Sequence, residues 1–95
     1  MKPVEFTLEE LEQGAKKERE GWSVEAKIVP NEGQNSENFP YKITVEITIL
    51  GKKPKKLIPV KITLGDEPTY EGEIKKGAGH FYGGKKPEKM QIQIG

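Results

Sequence analysis

The stretch YKITVEITIL, residues 41–50, decides the fold because apolar and polar side chains alternate from Tyr41 to Ile49. One side of the alternation holds Tyr41, Ile43, Val45, Ile47 and Ile49, and the other holds Lys42, Thr44, Glu46 and Thr48. Successive side chains of a strand point to opposite faces, so this period predicts a strand with one dry and one wet face. The β-branched residues in the apolar series favour a strand over a buried helix.

The same alternation recurs on both sides of this stretch. It runs through WSVEAKIVP (22–30), IPVKITL (58–64) and MQIQI (90–94), and more weakly through TYEGEIK (69–75). The predicted strands are about 22–30, 41–50, 58–64, 69–76 and 89–94, with Phe81 in a further short strand and Trp22 facing the core. The connections are short and rich in Gly, Pro and Asn, so antiparallel pairing is expected.

The segment FTLEELEQGAKKEREG, residues 6–21, predicts a helix over about 8–20. Thr7 is the expected N-cap, with Glu10 completing a capping box and Phe6 placed to pack on Leu11. Acidic residues precede basic ones along the segment, which suits the helix dipole. Gly21 is the expected stop.

The number of strands limits the architecture. A helix is about 10 Å wide and strands lie about 4.8 Å apart, so one helix covers roughly two strands. Five strands therefore need a second layer. We predict a mainly β fold, a small antiparallel Greek-key-like β-sandwich with one N-terminal helix closing an end or edge, as a single domain over residues 1–95. The alternative is an α+β domain with the helix packed on a curved antiparallel sheet.

Composition excludes several classes of site. The formal net charge is +1, which gives no general attraction to nucleic acid, and the absence of cysteine excludes disulfides and thiolate metal sites. No apolar stretch approaches the roughly 20 residues that span a bilayer. As written, the sequence predicts a soluble cytoplasmic protein without membrane contact, although a signal peptide already removed would leave no trace.

The carboxy-terminal half, residues 58–94, carries a family resemblance. An apolar strand, turn glycines, an aromatic residue and a closing alternating strand follow one another, with the relevant positions being Gly77, Gly79, Phe81, Gly83, Pro87 and Ile92. This order resembles prealbumin-like sandwich domains, including the Cna-B and carboxypeptidase-regulatory-like groups. The resemblance implies a Greek-key sandwich that acts as a stalk, spacer or binding module. Gln91 and Gln93 stand where some members carry an isopeptide acceptor Asn or Asp, so that chemistry is not expected.

The style of the sequence also resembles computationally designed or redesigned proteins. Lys and Glu alternate on the exposed faces, the helix start carries every local signal, and cysteine is absent. Thermophilic proteins share the raised Lys and Glu content. The resemblance implies a designed scaffold or a natural backbone with a redesigned sequence.

Residues for catalysis or metal binding are few. A hydrolytic triad needs a nucleophile, a base and an acid in contact, yet the chain has one histidine, His80, and one aspartate, Asp66. No nucleophile motif surrounds Ser23 or Ser36. The sequence therefore predicts no catalytic residues, no metal site and no cofactor.

Two lysine-rich loops give the one candidate site. GKKPKK and GGKKPEK supply the candidate anion-binding residues Lys52, Lys53, Lys55, Lys56, Lys85 and Lys86. If both loops lie at one end of the sandwich, they form a cationic patch near Tyr82 and His80. The balanced charge of the whole domain argues against nucleic acid as the partner.

These features predict a non-enzymatic structural or binding β-sandwich module, or a designed scaffold of that kind. One alternative is a cystatin-like protease-inhibitor module, because a helix precedes antiparallel strands, although the Gln-x-Val-x-Gly hairpin is missing. The other is a polyanion-binding domain that uses the lysine-rich loops. A protein partner, a monomer and a homodimer all stay open.

Overall fold

The computed structural model describes residues 3–94 and shows two four-stranded antiparallel sheets packed face to face. The elements are β1 (Val4–Thr7), α1 (Leu8–Gln13), β2 (Ala15–Arg19), β3 (Trp22–Pro30), β4 (Tyr41–Ile49), β5 (Ile58–Leu64), β6 (Tyr70–Ile74), β7 (Ala78–Gly83) and β8 (Lys89–Ile94). This arrangement confirms the predicted small antiparallel β-sandwich with one helix. The alternative, a helix packed across a curved sheet, is not the architecture of the chain.

Along residues 3–94 the chain passes between the two sheets four times. One sheet has the order β1-β8-β5-β6, and the other has the order β2-β3-β4-β7. The last strand, β8, lies between β1 and β5, so Val4 pairs with Ile92. The edges of the sandwich are therefore β1 and β2 on one side, and β6 and β7 on the other.

The alternating apolar residues form one core between the sheets, as the sequence predicts. The buried side chains are Val4, Phe6, Leu11, Val24, Ala26, Ile28, Ile43, Val45, Ile47, Ile58, Val60, Ile62, Ile74, Met90, Ile92 and Ile94. Trp22, by contrast, is only half-buried and packs against the margin of this core. It stands at the first position of β3, opposite Ile49.

The helix begins as predicted, at a capping box on Thr7. The Glu10 backbone N–H donates to Thr7 Oγ1 at 3.2 Å, and the Thr7 N–H donates to Glu10 Oε1 at 3.0 Å. Phe6 and Leu11, the pair expected to pack across this turn, are both fully buried. These contacts anchor α1 over the side of the sandwich where β1 and β2 are the edges.

The predicted extension of the helix to residue 20 is wrong, because α1 ends at Gln13. Gly14 has φ +83°, which an L side chain rarely adopts, and Ala15–Arg19 then pairs with β3 as a strand. Glu20 and Gly21 both have positive φ, which makes the two-residue hairpin turn favoured between twisted strands. Pairing with β3 stabilises the segment more than its helix-forming residues do.

Two more turns of this kind lie at the same end of the sandwich. Leu50–Gly51 follows β4 and Lys76–Gly77 joins β6 to β7, and all four residues have positive φ. We call this the turn end, defined by 20–21, 50–51 and 76–77. The opposite end, the loop end, carries the longer segments 31–40, 65–69 and 84–88.

The side of the sandwich between β1 and β2 is held together by Lys17. Its Nζ donates to the backbone oxygen of Glu5 in β1 and to the Glu10 carboxylate at 3.1 Å. The same ammonium lies 5.1 Å from the centroid of the Phe6 ring. One side chain of β2 therefore links both edge strands to the helix. Within residues 3–94, no helix has the length and apolar character needed to span a membrane.

The capping box predicts a pH-dependent contribution to stability. The Thr7 backbone N–H, and after it Lys17, lower the pKa of Glu10 below its ordinary value of 4.5. A lowered pKa stabilises the fold above the ordinary value, and the contribution is lost as the pH falls through the folded value. Thr7→Ala should lower the free energy of unfolding by roughly 0.5–2 kcal/mol at neutral pH.

Urea unfolding of Thr7→Ala, Glu10→Ala and the double variant checks this. The losses should be less than additive at pH 7, and the loss from Glu10→Ala should be smaller in acid, where the carboxylate is protonated. Fully additive losses at pH 7 would show that no capping box forms.

Gly77 should be the most demanding turn position. It has φ +74°, and a Cβ there would lie 2.5 Å from the Ile47 backbone oxygen. Gly51 is a matched control, because it has φ +79° and a Cβ there would meet nothing within 4 Å. Gly51→Ala should cost about 1 kcal/mol from its backbone conformation alone, and Gly77→Ala at least about 2 kcal/mol more from the clash. Equal melting temperatures for the two variants would contradict the close approach.

Candidate functional site

A cavity lies at the loop end, between the edges of β6 and β7. Its volume is about 750 Å³, and it is open to solvent on one side. The lining consists of the aromatic residues Phe39, Tyr70, Phe81 and Tyr82, the apolar Ile62, Leu64 and Pro68, and the polar or small Asn31, Gly33, Gln34, Asn35, Glu67 and His80. We call this cavity the aromatic cleft.

Glycines on the inner faces of the two edge strands leave room for the cleft. A Cβ on Gly72 of β6 would lie 2.7 Å from the Tyr70 ring, and a Cβ on Gly79 of β7 would lie 3.4 Å from the Phe81 ring. Each ring therefore folds back along its own strand, over a position without a side chain. The two rings meet edge to face, with centroids 5.7 Å apart and planes at 69°. This geometry is a favoured one for aromatic pairs.

The loop of residues 31–40 forms the outer wall of the cleft. Asn31 is buried, and its amide donates to the Phe39 backbone oxygen at 2.7 Å while its Oδ1 accepts from the Gly33 N–H at 3.1 Å. Phe39 also donates its N–H to the Asn35 oxygen at 2.7 Å. These bonds fix the loop so that the Phe39 ring, 42% exposed, stays beside the cleft.

Aromatic surface at the cleft is unusually open. Tyr70 is 55% exposed and Tyr82 is 53% exposed, whereas no side chain of the buried core is more than 6% exposed. The charged or titratable groups of the lining are Glu67, His80 and the tyrosine hydroxyls, and among residues 3–94 no Lys or Arg lines it. The site therefore offers ring faces and edges, hydrogen-bonding groups at the rim and a single carboxylate.

The two lysine-rich loops lie at opposite ends of the sandwich, so the predicted joint patch does not form. Lys86 Nζ lies 5.0 Å from the centroid of the Tyr41 ring, at the start of β4, whereas the Lys52 N–H donates to the oxygen of Ile49, at its end. The start and the end of this nine-residue strand lie about 26 Å apart. Charges at that distance act separately, because salt screens exposed charges beyond about 8 Å.

The individual lysines differ in their contacts. Lys86 pairs with Glu12 of α1 at 3.4 Å. Lys85 is exposed at the loop end, and Lys52, Lys53, Lys55 and Lys56 are exposed at the turn end. His80 and Tyr82 line the aromatic cleft at the loop end, away from the second group. In residues 3–94, no three His, Asp or Glu side chains are grouped so as to hold a metal ion.

No family model, no curated protein and no solved structure matches the chain. The resemblances to prealbumin-like domains and to designed proteins therefore stay predictions.

Sequence reasoning missed the aromatic cleft. Its rings come from positions 39, 70, 81 and 82, which only the strand order brings together. A readable signal is the pairing of an aromatic residue with a glycine two positions away, in Tyr70-x-Gly72 and Gly79-x-Phe81. In a strand this spacing puts the ring and the empty position on one face.

The separation of the lysine loops predicts weak, independent binding of polyanions. The unchanged protein should elute from a heparin column at or below roughly physiological ionic strength. Changing Lys52 and Lys53 to Gln, or Lys85 and Lys86 to Gln, should each lower the elution salt slightly, and the two effects should add. Retention well above that salt, lost in either paired variant, would indicate a single anion site.

Proposed function

We propose that the protein is a non-enzymatic binding module whose ligand places an apolar or aromatic group in the aromatic cleft. The observation that supports this is the convergence of four aromatic side chains, three of them 42–55% exposed, on one open cavity. Covering exposed aromatic surface with a ligand contributes favourably to the free energy of binding, since each ring offers a large apolar area. Ligand sites of this type are concave, mostly apolar and carry few polar groups.

The dimensions of the cleft agree with this proposal. Its volume of about 750 Å³ falls within the roughly 300–1,000 Å³ typical of ligand sites. The wall formed by residues 31–40 is fixed by the hydrogen bonds of Asn31, and Ile62 and Leu64 come from a core strand. A site with a fixed wall and floor loses little conformational entropy on binding.

The remaining hypotheses have less support. A cystatin-like inhibitor needs a helix ahead of the strands, and the observed helix has six residues. A polyanion-binding domain needs its lysines together, and the two loops are at opposite ends. A purely structural spacer, natural or designed, would not need the open aromatic surface.

Indole is a suitable neutral probe for the cleft, and NMR titration of the 15N-labelled protein follows it residue by residue. We expect saturable shifts confined to residues 31–39, 62–70 and 80–82. Phe39→Ala and Tyr70→Ala should each weaken binding about two- to tenfold, because each removes one stacking surface.

The matched control is Leu57→Ala. Leu57 is 52% exposed on the segment between the turn end and β5, so it is an apolar residue outside the cleft. This control should bind indole like the unchanged protein. The absence of saturable shifts, or equal weakening by Leu57→Ala, would contradict the proposed site.

A further inference from the structure

The four edge strands differ in how they are protected against pairing with another chain. β2 carries Lys16, Lys17, Glu18 and Arg19, and β6 carries Glu71 and Glu73. The backbone oxygen of Glu5 in β1 already accepts from Lys17. Charged residues on an edge oppose the addition of a further strand. β7, with the sequence AGHFYG, has no Lys, Arg, Asp or Glu and is therefore the unprotected edge.

The register of β7 shows which of its backbone groups are available. The Ile47 N–H donates to the Gly77 oxygen at 2.6 Å, and the pairs Val45↔Gly79 and Ile43↔Phe81 follow along the ladder. Hydrogen-bonded and non-hydrogen-bonded pairs alternate in an antiparallel ladder. The backbone groups of Gly79 and Phe81 therefore point to β4. Those of His80 and Tyr82 point to the free edge.

The aromatic cleft runs along this same edge. It contacts three successive residues of one strand, His80, Phe81 and Tyr82. Successive side chains of a strand point to opposite faces, so a cavity that touches all three must pass beside the backbone edge. Gly79 and Gly83, which flank these residues, carry no side chains.

We propose that the ligand is an extended peptide segment of a partner protein, which adds to the β2-β3-β4-β7 sheet as a fifth strand beside β7. This rests on the proposed function, because every second side chain of the added strand faces the aromatic cleft. Backbone hydrogen bonds to His80 and Tyr82 hold the segment, and an apolar side chain enters between Tyr70 and Phe39. Main-chain pairing with specificity from alternate side chains is an established mode of peptide recognition.

The lining of the cleft defines the chemistry of the segment. The aromatic rings accept apolar or aromatic side chains at alternate positions, and Glu67 at the rim favours a basic residue beside them. A second copy of this chain fits less well. The inward residues of its own β7 are Gly79, Phe81 and Gly83, and Phe81 already packs on Tyr70 of the same chain. It would leave the cavity largely unfilled.

The experiment uses a fluorescein-labelled peptide of about nine residues in which phenylalanine alternates with threonine between two terminal lysines. Its binding is measured by fluorescence anisotropy against His80→Pro and His80→Thr. Both variants lose the same side chain, but only proline removes the N–H at the free edge, and the ladder to β4 is kept. We expect His80→Pro to bind the peptide at least about tenfold more weakly than His80→Thr, because proline removes one hydrogen bond to the peptide and its ring blocks the edge.

A second measurement leaves the protein unchanged and so does not depend on the folding of His80→Pro. The same peptide with N-methyl groups on alternate residues, placed on the edge that would face β7, should bind at least about tenfold more weakly than its unmethylated form. Equal binding of the methylated and unmethylated peptides would overturn strand addition, as would equal affinities of the two His80 variants.

Two further outcomes separate this inference from the proposed function. If indole binds in the cleft but the peptide does not bind, strand addition is wrong and the binding cleft stands. If neither binds, both are wrong. Sedimentation of the protein alone tests whether a second copy of the chain pairs with β7. If the protein forms a concentration-dependent dimer that His80→Pro abolishes, and the peptide does not bind, the second copy is the true partner and the proposal is overturned.

Discussion

The two-residue turn at Lys76–Gly77 determines how the two sheets meet on the side of the aromatic cleft. Gly77 accepts a hydrogen bond from the Ile47 N–H at 2.6 Å, and it leaves no space for a side chain beside the Ile47 oxygen or the buried Pro54. The turn therefore holds the connection from β6 to β7 close to β4. β6 and β7 leave it in different sheets, and their free edges run beside each other toward the loop end. The cleft is the space between these edges.

The gap between the two sheets is closed differently on the two sides of the sandwich. Between β1 and β2, the helix places Leu11 in the core and Lys17 joins both strands and α1 through Glu5 and Glu10. Between β6 and β7, no helix or strand within residues 3–94 covers the gap, and Tyr70 and Phe81 fold over glycines instead. Side-chain burial and ion pairing close the first side, whereas rings that stay half in water close the second only partly. A site for binding is expected on the side that has unused apolar surface.

Local patterns in the sequence predict the layers of this fold but not its lateral arrangement. The alternation in residues 22–30, 41–50, 58–64 and 90–94 predicts the core strands, since the period of two depends only on neighbouring residues. A helix is wrongly predicted for segment 15–19, because its Lys and Glu residues favour a helix. Its strand conformation comes from pairing with β3 and from the positive φ of Gly14. β1 is missed because four residues give too short a pattern. The cleft depends on strand order, which brings Phe39, Tyr70 and Phe81 together from distant positions and separates the lysine loops.

The position of β8 has a consequence for synthesis on the ribosome. β8 separates β1 from β5, so β1 has no strand to pair with until residues 89–94 have been made. At about 5–20 residues per second, the delay between the first and the last strand of this sheet lasts on the order of several seconds. During that time Val4 and Phe6 lack the strand they pair with, whereas the sequences of β2, β3 and β4 are complete once residue 49 has been made. An apolar segment at the start of the chain therefore stays unpaired during synthesis until Ile92 is available to pair with Val4.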